Sequence, residues 1–299
     1  MIENVILIAG PTASGKSSLA LRLASKYAGV VVNADAMQVY APLRILTARP
    51  SPQDMALVEH RLYGHVPGAT AYSTGSWYRD IAETLDELRR RGRLPVVVGG
   101  TGLYFRALTG GLSTMPAIPD DVRDFWRERL REKGAGSLHE ELSRVDAETA
   151  RGLVPADGQR IVRALEVFHA TGRSIRDHQK NAGHPLIDAA RAARIILSPP
   201  RDVVRRRIAE RASTMLEDGA CAEVGALMNE GLDERLPVMK AIGVREIAAY
   251  LAGKCSREEA KERLITLTRQ YAKRQMTWFR NQLGEGWETI GQGENYTPS

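Results

Sequence analysis

Apolar and polar positions divide the chain into segments of two kinds. Apolar runs at Val5 to Ala9, Val30 to Ala34, Leu94 to Val98 and Ala193 to Ser198 have the composition of strands buried on both faces of a parallel sheet. Beyond the first run, Leu19, Ala20, Leu23, Ala24 and Tyr27 recur at helical spacing. Trp77, Ile81, Leu85 and Leu88 give Ser76 to Arg91 one apolar face. Strands alternating with helices predict an α/β fold. Residues 41–75, broken by Pro42, Pro50, Pro52 and Pro67, read as loops and short helices. A Pro-rich boundary at Met115 to Pro119 precedes a stretch in which every periodic segment is helical, as far as about Asp188. The pattern therefore predicts a sheet core from residues 1–115 and 190–299, with an all-helical insertion at 116–189. Further helices are expected from Asp202 and from about Ser256.

The first strand runs directly into Gly10-Pro11-Thr12-Ala13-Ser14-Gly15-Lys16-Ser17, which fits the phosphate-binding loop G-x-x-x-x-G-K-S/T without mismatch. In such a loop the glycines let amides converge on an anion. The following helix adds the positive end of its dipole, Lys16 a full charge, and Ser17 a hydroxyl suited to magnesium. The fold class expected is thus α/β with a P-loop NTPase-like sheet flanked by helices. Asp35 follows the second strand, where doubly wound sheets place ligands, and is a candidate base or magnesium neighbour. The third strand ends in Gly99-Gly100-Thr101-Gly102, which brings the Thr101 hydroxyl toward the phosphate loop. No aspartate ends that strand, which counts against a motor-type ATPase.

Composition narrows the class. Of 299 residues, 43% are hydrophobic and 26% charged, as in ordinary globular proteins. No apolar run is long enough to span a bilayer, and the N-terminus enters a strand at once, so a cytoplasmic protein without a membrane partner is expected. Cys221 and Cys255 lack metal-ligand or redox spacing. A net charge of +6 and a pI near 9.4 pass the threshold for a nucleic-acid footprint. Two segments concentrate that charge. Gln159, Arg160 and Arg163 edge a helix with Ile161 and Val162, and the final helix carries Arg269, Lys273 and Arg280 among Tyr271, Trp278 and Phe279, a mixture suited to RNA. Arg123 opens the insertion.

Together the GPTASGKS loop, Asp35 with Gln38-Val39-Tyr40, the Gly99 to Tyr104 turn, QRIVRALEV from Gln159, MKAIGVRE from Met239 and TRQYAKRQMTWFR near the end resemble the tRNA dimethylallyltransferase (tRNA isopentenyltransferase) family, in family order over nearly the whole chain. The resemblance implies transfer of a dimethylallyl group from dimethylallyl diphosphate to an adenosine beside the tRNA anticodon, with Mg2+ as cofactor. It makes Asp35 the base for the adenine amine and Thr101 a second catalytic group. Gly10 to Ser17 and Arg211 become the diphosphate site, with Ser17 toward the metal. RNA contacts then fall to Asp35, Ala36, Met37, Gln38, Thr101, Arg123, Gln159, Arg160, Ile161, Val162, Arg163, Lys240, Arg245, Arg274 and Trp278. Two departures stand out: Ala36 where the family usually has Ser, and Leu43 to Pro50 in place of its common Asp-Ile-Gly-Thr-Ala-Lys-Pro form.

The amino-terminal hundred residues alone do not exclude a small-molecule kinase, in which Asp35 would deprotonate a substrate hydroxyl for attack on ATP. A non-catalytic, nucleotide-dependent RNA-binding protein is a rival of another class. The insertion and the basic-aromatic final helix favour the transferase over the kinase. A monomer is expected, because no exposed apolar helix stripe stands out.

Overall fold

The computed structural model describes residues 4–180, 183–291 and 296. Among them the chain forms two compact units, residues 1–109 with 185–299, and residues 110–184. The first unit is built on a parallel sheet. Strands β1 (Val5–Ala9), β2 (Val30–Asn33), β3 (His60–Arg61), β4 (Pro95–Gly99), β5 (Ala192–Leu197) and β6 (Glu288–Ile290) lie in the order β3-β2-β4-β1-β5-β6. Strands β3 and β6 were not expected from the sequence. The first has two residues, and the second is three residues in a charged stretch that carry no apolar run.

Helices α1 (Lys16–Lys26), α2 (Pro52–Leu57), α3 (Thr74–Arg90) and α4 (Gly102–Gly110) fall among the first four strands or directly after them. Strand β1 alternates between two cores. Val5, Leu7 and Ala9 face one that includes Trp77, Ile81, Leu85 and Leu88 of α3, whereas Ile6 and Ile8 join Leu19, Ala20, Leu23 and Ala24 of α1. Both faces are covered, which is why these strands read as unbroken apolar runs. Tyr27, placed on the apolar face by spacing alone, is instead the exposed residue that caps α1. The register pairs Ala9 with Gly99 and Asn33 with Val98, so the phosphate loop, Asp35 and the Gly100 turn all leave the sheet at the same edge.

Residues 110–184 contain α5 (Asp120–Val145), α6 (Ala147–Arg151), α7 (Gly158–Thr171) and α8 (Ile175–Lys180), and no strand among the described residues. Their own core gathers Trp126, Leu138, Leu142, Ile161, Val162 and Leu165. The chain returns to the first unit through β5 and then forms α9 (Arg201–Glu217), α10 (Ala220–Asn229), α11 (Val244–Leu251) and α12 (Arg257–Gln282). Ser256 and Glu259 form a reciprocal capping box at the start of α12, satisfying amides that the helix leaves free.

Candidate active site

The loop after β1 turns on Gly15, whose φ of +93° is comfortable only for glycine, and α1 begins at the next residue, Lys16. Lys16 is therefore at a helix N-terminus, half-buried in the cavity wall. Burial pulls its ammonium pKa down from 10.5 to about 8; Asp35 opposes that fall and Arg211 adds to it. Its Nζ donates to the Pro11 carbonyl at 3.2 Å. Helix α9 brings two arginines to the same loop one turn apart: Arg211 donates to Thr12 Oγ1 at 2.6 Å and Arg207 to the Ser14 carbonyl at 3.1 Å. Arg211 too is driven below its ordinary pKa by burial, against the pull of Asp35.

Lys16, Arg211, Thr12 and Asp35 line a cavity of about 400 Å³. Its charged lining is Lys16, Arg211, Lys240 and Arg274 against one carboxylate, Asp35; an apolar side is supplied by Leu46, Ile208, Met215, Ile242 and Leu264. Thr12 to Ser17, Ala36, Met37 and Gln38 complete the predicted part of the wall, while Gly10 and Pro11 stand behind it. Asp35 is held by local geometry. Its Oδ1 accepts from the Met37 amide at 3.0 Å, and its own amide donates to Asn33 Oδ1 at 2.8 Å. Asn33 is fully buried and also donates through Nδ2 to the Asp35 and Leu62 carbonyls, both at 3.0 Å. Below it Trp77 donates to the Asn33 carbonyl at 3.0 Å and stacks on Tyr104 with ring centroids 3.8 Å apart.

Thr101 differs from expectation. It is not part of the cavity wall; its Oγ1 accepts from the Ala36 amide at 2.9 Å, so in this structure it supports the turn after Asp35. Trp278 packs against Gly102, and Arg245 opens α11 on the exposed side.

Comparison with known proteins now decides the family. The profile described as IPP transferase matches residues 38–282, and one described as isopentenyl transferase matches residues 3–64. A protein named tRNA dimethylallyltransferase from Agrobacterium fabrum is 58% identical over 96% of this chain and 96% of its own length. The chain belongs to the IPP transferase family. Among solved structures, the tRNA isopentenylpyrophosphate transferase of Bacillus halodurans aligns with a TM-score of 0.68 and 32% identity, over 97% of this chain and 90% of that one. A eukaryotic dimethylallyltransferase described as acting on tRNA aligns with a TM-score of 0.78 and 28% identity, over 93% of this chain and 70% of that one.

Within this family member, the residues expected at RNA from the helical unit divide by exposure. Gln159 and Arg160 are exposed on the first turn of α7, and Arg123 sits on α5 beside Asp120. Arg163 is half-buried against Glu166 at 3.2 Å. Ile161 and Val162 are corrected by the fold: their side chains are spent on the unit's own core. Sequence reasoning missed Gln275. Buried on α12, it accepts from the Thr12 amide and donates to the Gly100 carbonyl, each at 2.9 Å. Nothing in its local sequence marks it beyond its place among basic and aromatic neighbours.

Proposed function

We propose that the protein transfers a dimethylallyl group from dimethylallyl diphosphate to the N6 amine of the adenosine 3′-adjacent to the anticodon of tRNA, releasing diphosphate. The observation that carries this reading is the unbalanced charge of the cavity, with Lys16 and Arg211 desolvated side by side and one carboxylate near them. A diphosphate supplies the anionic charge such a site lacks, and the apolar side suits a short hydrocarbon. As the allylic C–O bond breaks, negative charge grows on the leaving group, where the Lys16 and Arg211 cations of the cavity wall would stabilise it. The adenine amine attacks the same carbon. Asp35, fixed by Asn33 and the Met37 amide, accepts the proton that the amine loses. The base must leave the anticodon-loop stack to reach Asp35.

Magnesium fits the donors present. Ser17 offers a hard hydroxyl oxygen at the cavity and leaves most of the shell to substrate phosphates and water, as this ion prefers. Ser14 Oγ, buried in the same loop, has no hydrogen-bond partner. When bound, the ion would neutralise charge on diphosphate; Ser17 would hold it, leaving the Asp35 carboxylate to the acceptor amine. Asp35, Ala36, Met37, Gln38, Thr101, Lys240, Arg245, Arg274 and Trp278 form the expected RNA side of the sheet unit. Arg123, Gln159 and Arg160 do so on the helical unit. The reading places the protein in the cytoplasm as a monomer.

The test supplies purified protein and magnesium with unmodified tRNA and either labelled dimethylallyl diphosphate or labelled ATP. Label from the prenyl donor on the adenosine beside the anticodon is expected. Phosphate passing from ATP to a small acceptor, without prenyl transfer, would favour the kinase.

A further inference from the structure

The stretch in which this chain departs from the common family form, residues 43–50, builds one wall of the cavity through Leu46, Thr47 and Ala48. The loop belongs to no helix or strand; its own turn bonds, from the Ala48 amide to the Ile45 carbonyl and from the Arg49 amide to the Arg44 carbonyl, each at 3.0 Å, shape it from within. Two side chains hold it from opposite sides. From the cavity side, Gln38 Nε2 donates to the Thr47 carbonyl at 2.9 Å and to the Ala48 carbonyl at 3.1 Å. From the other, the carboxylate of Glu223, in the first turn of α10, accepts from three successive amides: Arg44 at 3.0 Å, Ile45 at 2.7 and 2.9 Å, and Leu46 at 3.0 Å.

Three consecutive amides aimed at one point form an anion-binding concavity. Here the anion is the protein's own. Charge-assisted bonds of this type are about twice as strong as neutral ones, and Glu223 is half-buried, so the grip is not simply diluted by solvent. Within the loop Ala48 sits at φ +54°, a conformation alanine rarely adopts. Leu46, the next residue to be fixed, packs over Gly243 and faces the cavity among its apolar lining.

We propose that Glu223 is a positioning residue for prenyl transfer: by filling the concavity of residues 44–46 it fixes Leu46, Thr47 and Ala48 as a rigid wall that limits the length of the donor's hydrocarbon. It touches neither substrate and acts through the loop. The inference rests on the transferase reading above, and commits it to one more residue and to a specificity.

The test compares dimethylallyl diphosphate with its longer homologue geranyl diphosphate, as kcat/KM for each, in the unaltered protein, Glu223→Gln and Glu223→Asp. Glu223→Gln keeps the size but turns an amide NH2 toward backbone N–H groups. Its discrimination against the longer donor should fall by about tenfold, mainly through a lower KM for that donor, with Glu223→Asp intermediate. An unchanged ratio in a folded Glu223→Gln protein overturns the proposal. Where the variants do not fold, hydrogen exchange of the unaltered protein decides: amides 44–46 should be protected, and exchange at the rate of an open loop overturns the clamp. Unaltered protein that transfers no dimethylallyl group would instead refute the transferase reading, whatever the exchange shows.

Discussion

The Thr12 amide, in the phosphate loop, donates to Oε1 of Gln275, 263 positions later on α12. Through its other end Gln275 reaches the Gly100 carbonyl, so one buried side chain ties the loop after β1 to the turn after β4. Gln275→Leu keeps the bulk and leaves the two backbone groups unpaired. At about 1–3 kcal/mol for each unsatisfied group, thermal unfolding should show a loss of several kcal/mol at most. Donor KM should rise as well, because the loop loses its fixed position. A fall in stability with unchanged KM would mean that Gln275 serves only the fold.

Lys16 costs the fold stability. Its fall from 10.5 to about 8 corresponds to about 3 kcal/mol against keeping the charge buried at neutral pH. Below pH 8 both folded and unfolded chains carry the proton, and the full cost is present. Between 8 and 10.5 the unfolded chain holds more protons, so stability rises with pH. Lys16→Met should therefore be more stable than the parent at pH 7, by up to about 3 kcal/mol in denaturant unfolding, with the gap closing as pH approaches 10.5. Transfer activity should be lost together with donor binding.

The same proton shapes catalysis with the opposite sign. In the free enzyme, loss of the Lys16 charge above about pH 8 removes a diphosphate contact, so kcat/KM for the donor should decline on the alkaline side from that point. Bound diphosphate favours the ammonium, and the corresponding limb in kcat should lie at higher pH. Lys16→Arg, permanently charged, should lack the limb at whatever rate it retains. A pH profile of both proteins checks this.

How much of this was legible in the sequence depended on distance along the chain. The phosphate loop occupies consecutive residues, and Asp35 directly follows an apolar strand; α3 announced itself through Trp77, Ile81, Leu85 and Leu88. Asn33 read only as the end of a strand, since its role appears once Asp35 and Leu62 have folded around it. Gln275 and Glu223 work on backbone groups far away in sequence, 175 positions for Gly100 and 177 for Leu46. A backbone acceptor or donor carries no residue identity to pair with, so no motif could mark these two. Thr101 shows the same limit: proximity to the loop was readable, but its engagement by the Ala36 amide was not.

Arg160 and Arg163 stand close in sequence and should nevertheless behave differently. Arg160 is exposed beside Asp157, free to meet an RNA phosphate, so Arg160→Ala should lower the slope of log affinity against log salt by about one unit. Arg163→Ala strands the buried carboxylate of Glu166 and should cost about 2 kcal/mol in stability while moving the salt slope little. Salt titrations of RNA binding, alongside unfolding curves, separate the two.

The central claim is that Asp35 removes a proton from the acceptor amine in a site built for diphosphate. Single-turnover prenyl transfer by Asp35→Asn, with tRNA and donor affinities measured on the same preparation, tests it most directly. The account predicts a rate lower by about 10²- to 10⁴-fold with tRNA affinity largely retained. A variant that transfers the prenyl group at the parental rate would contradict it.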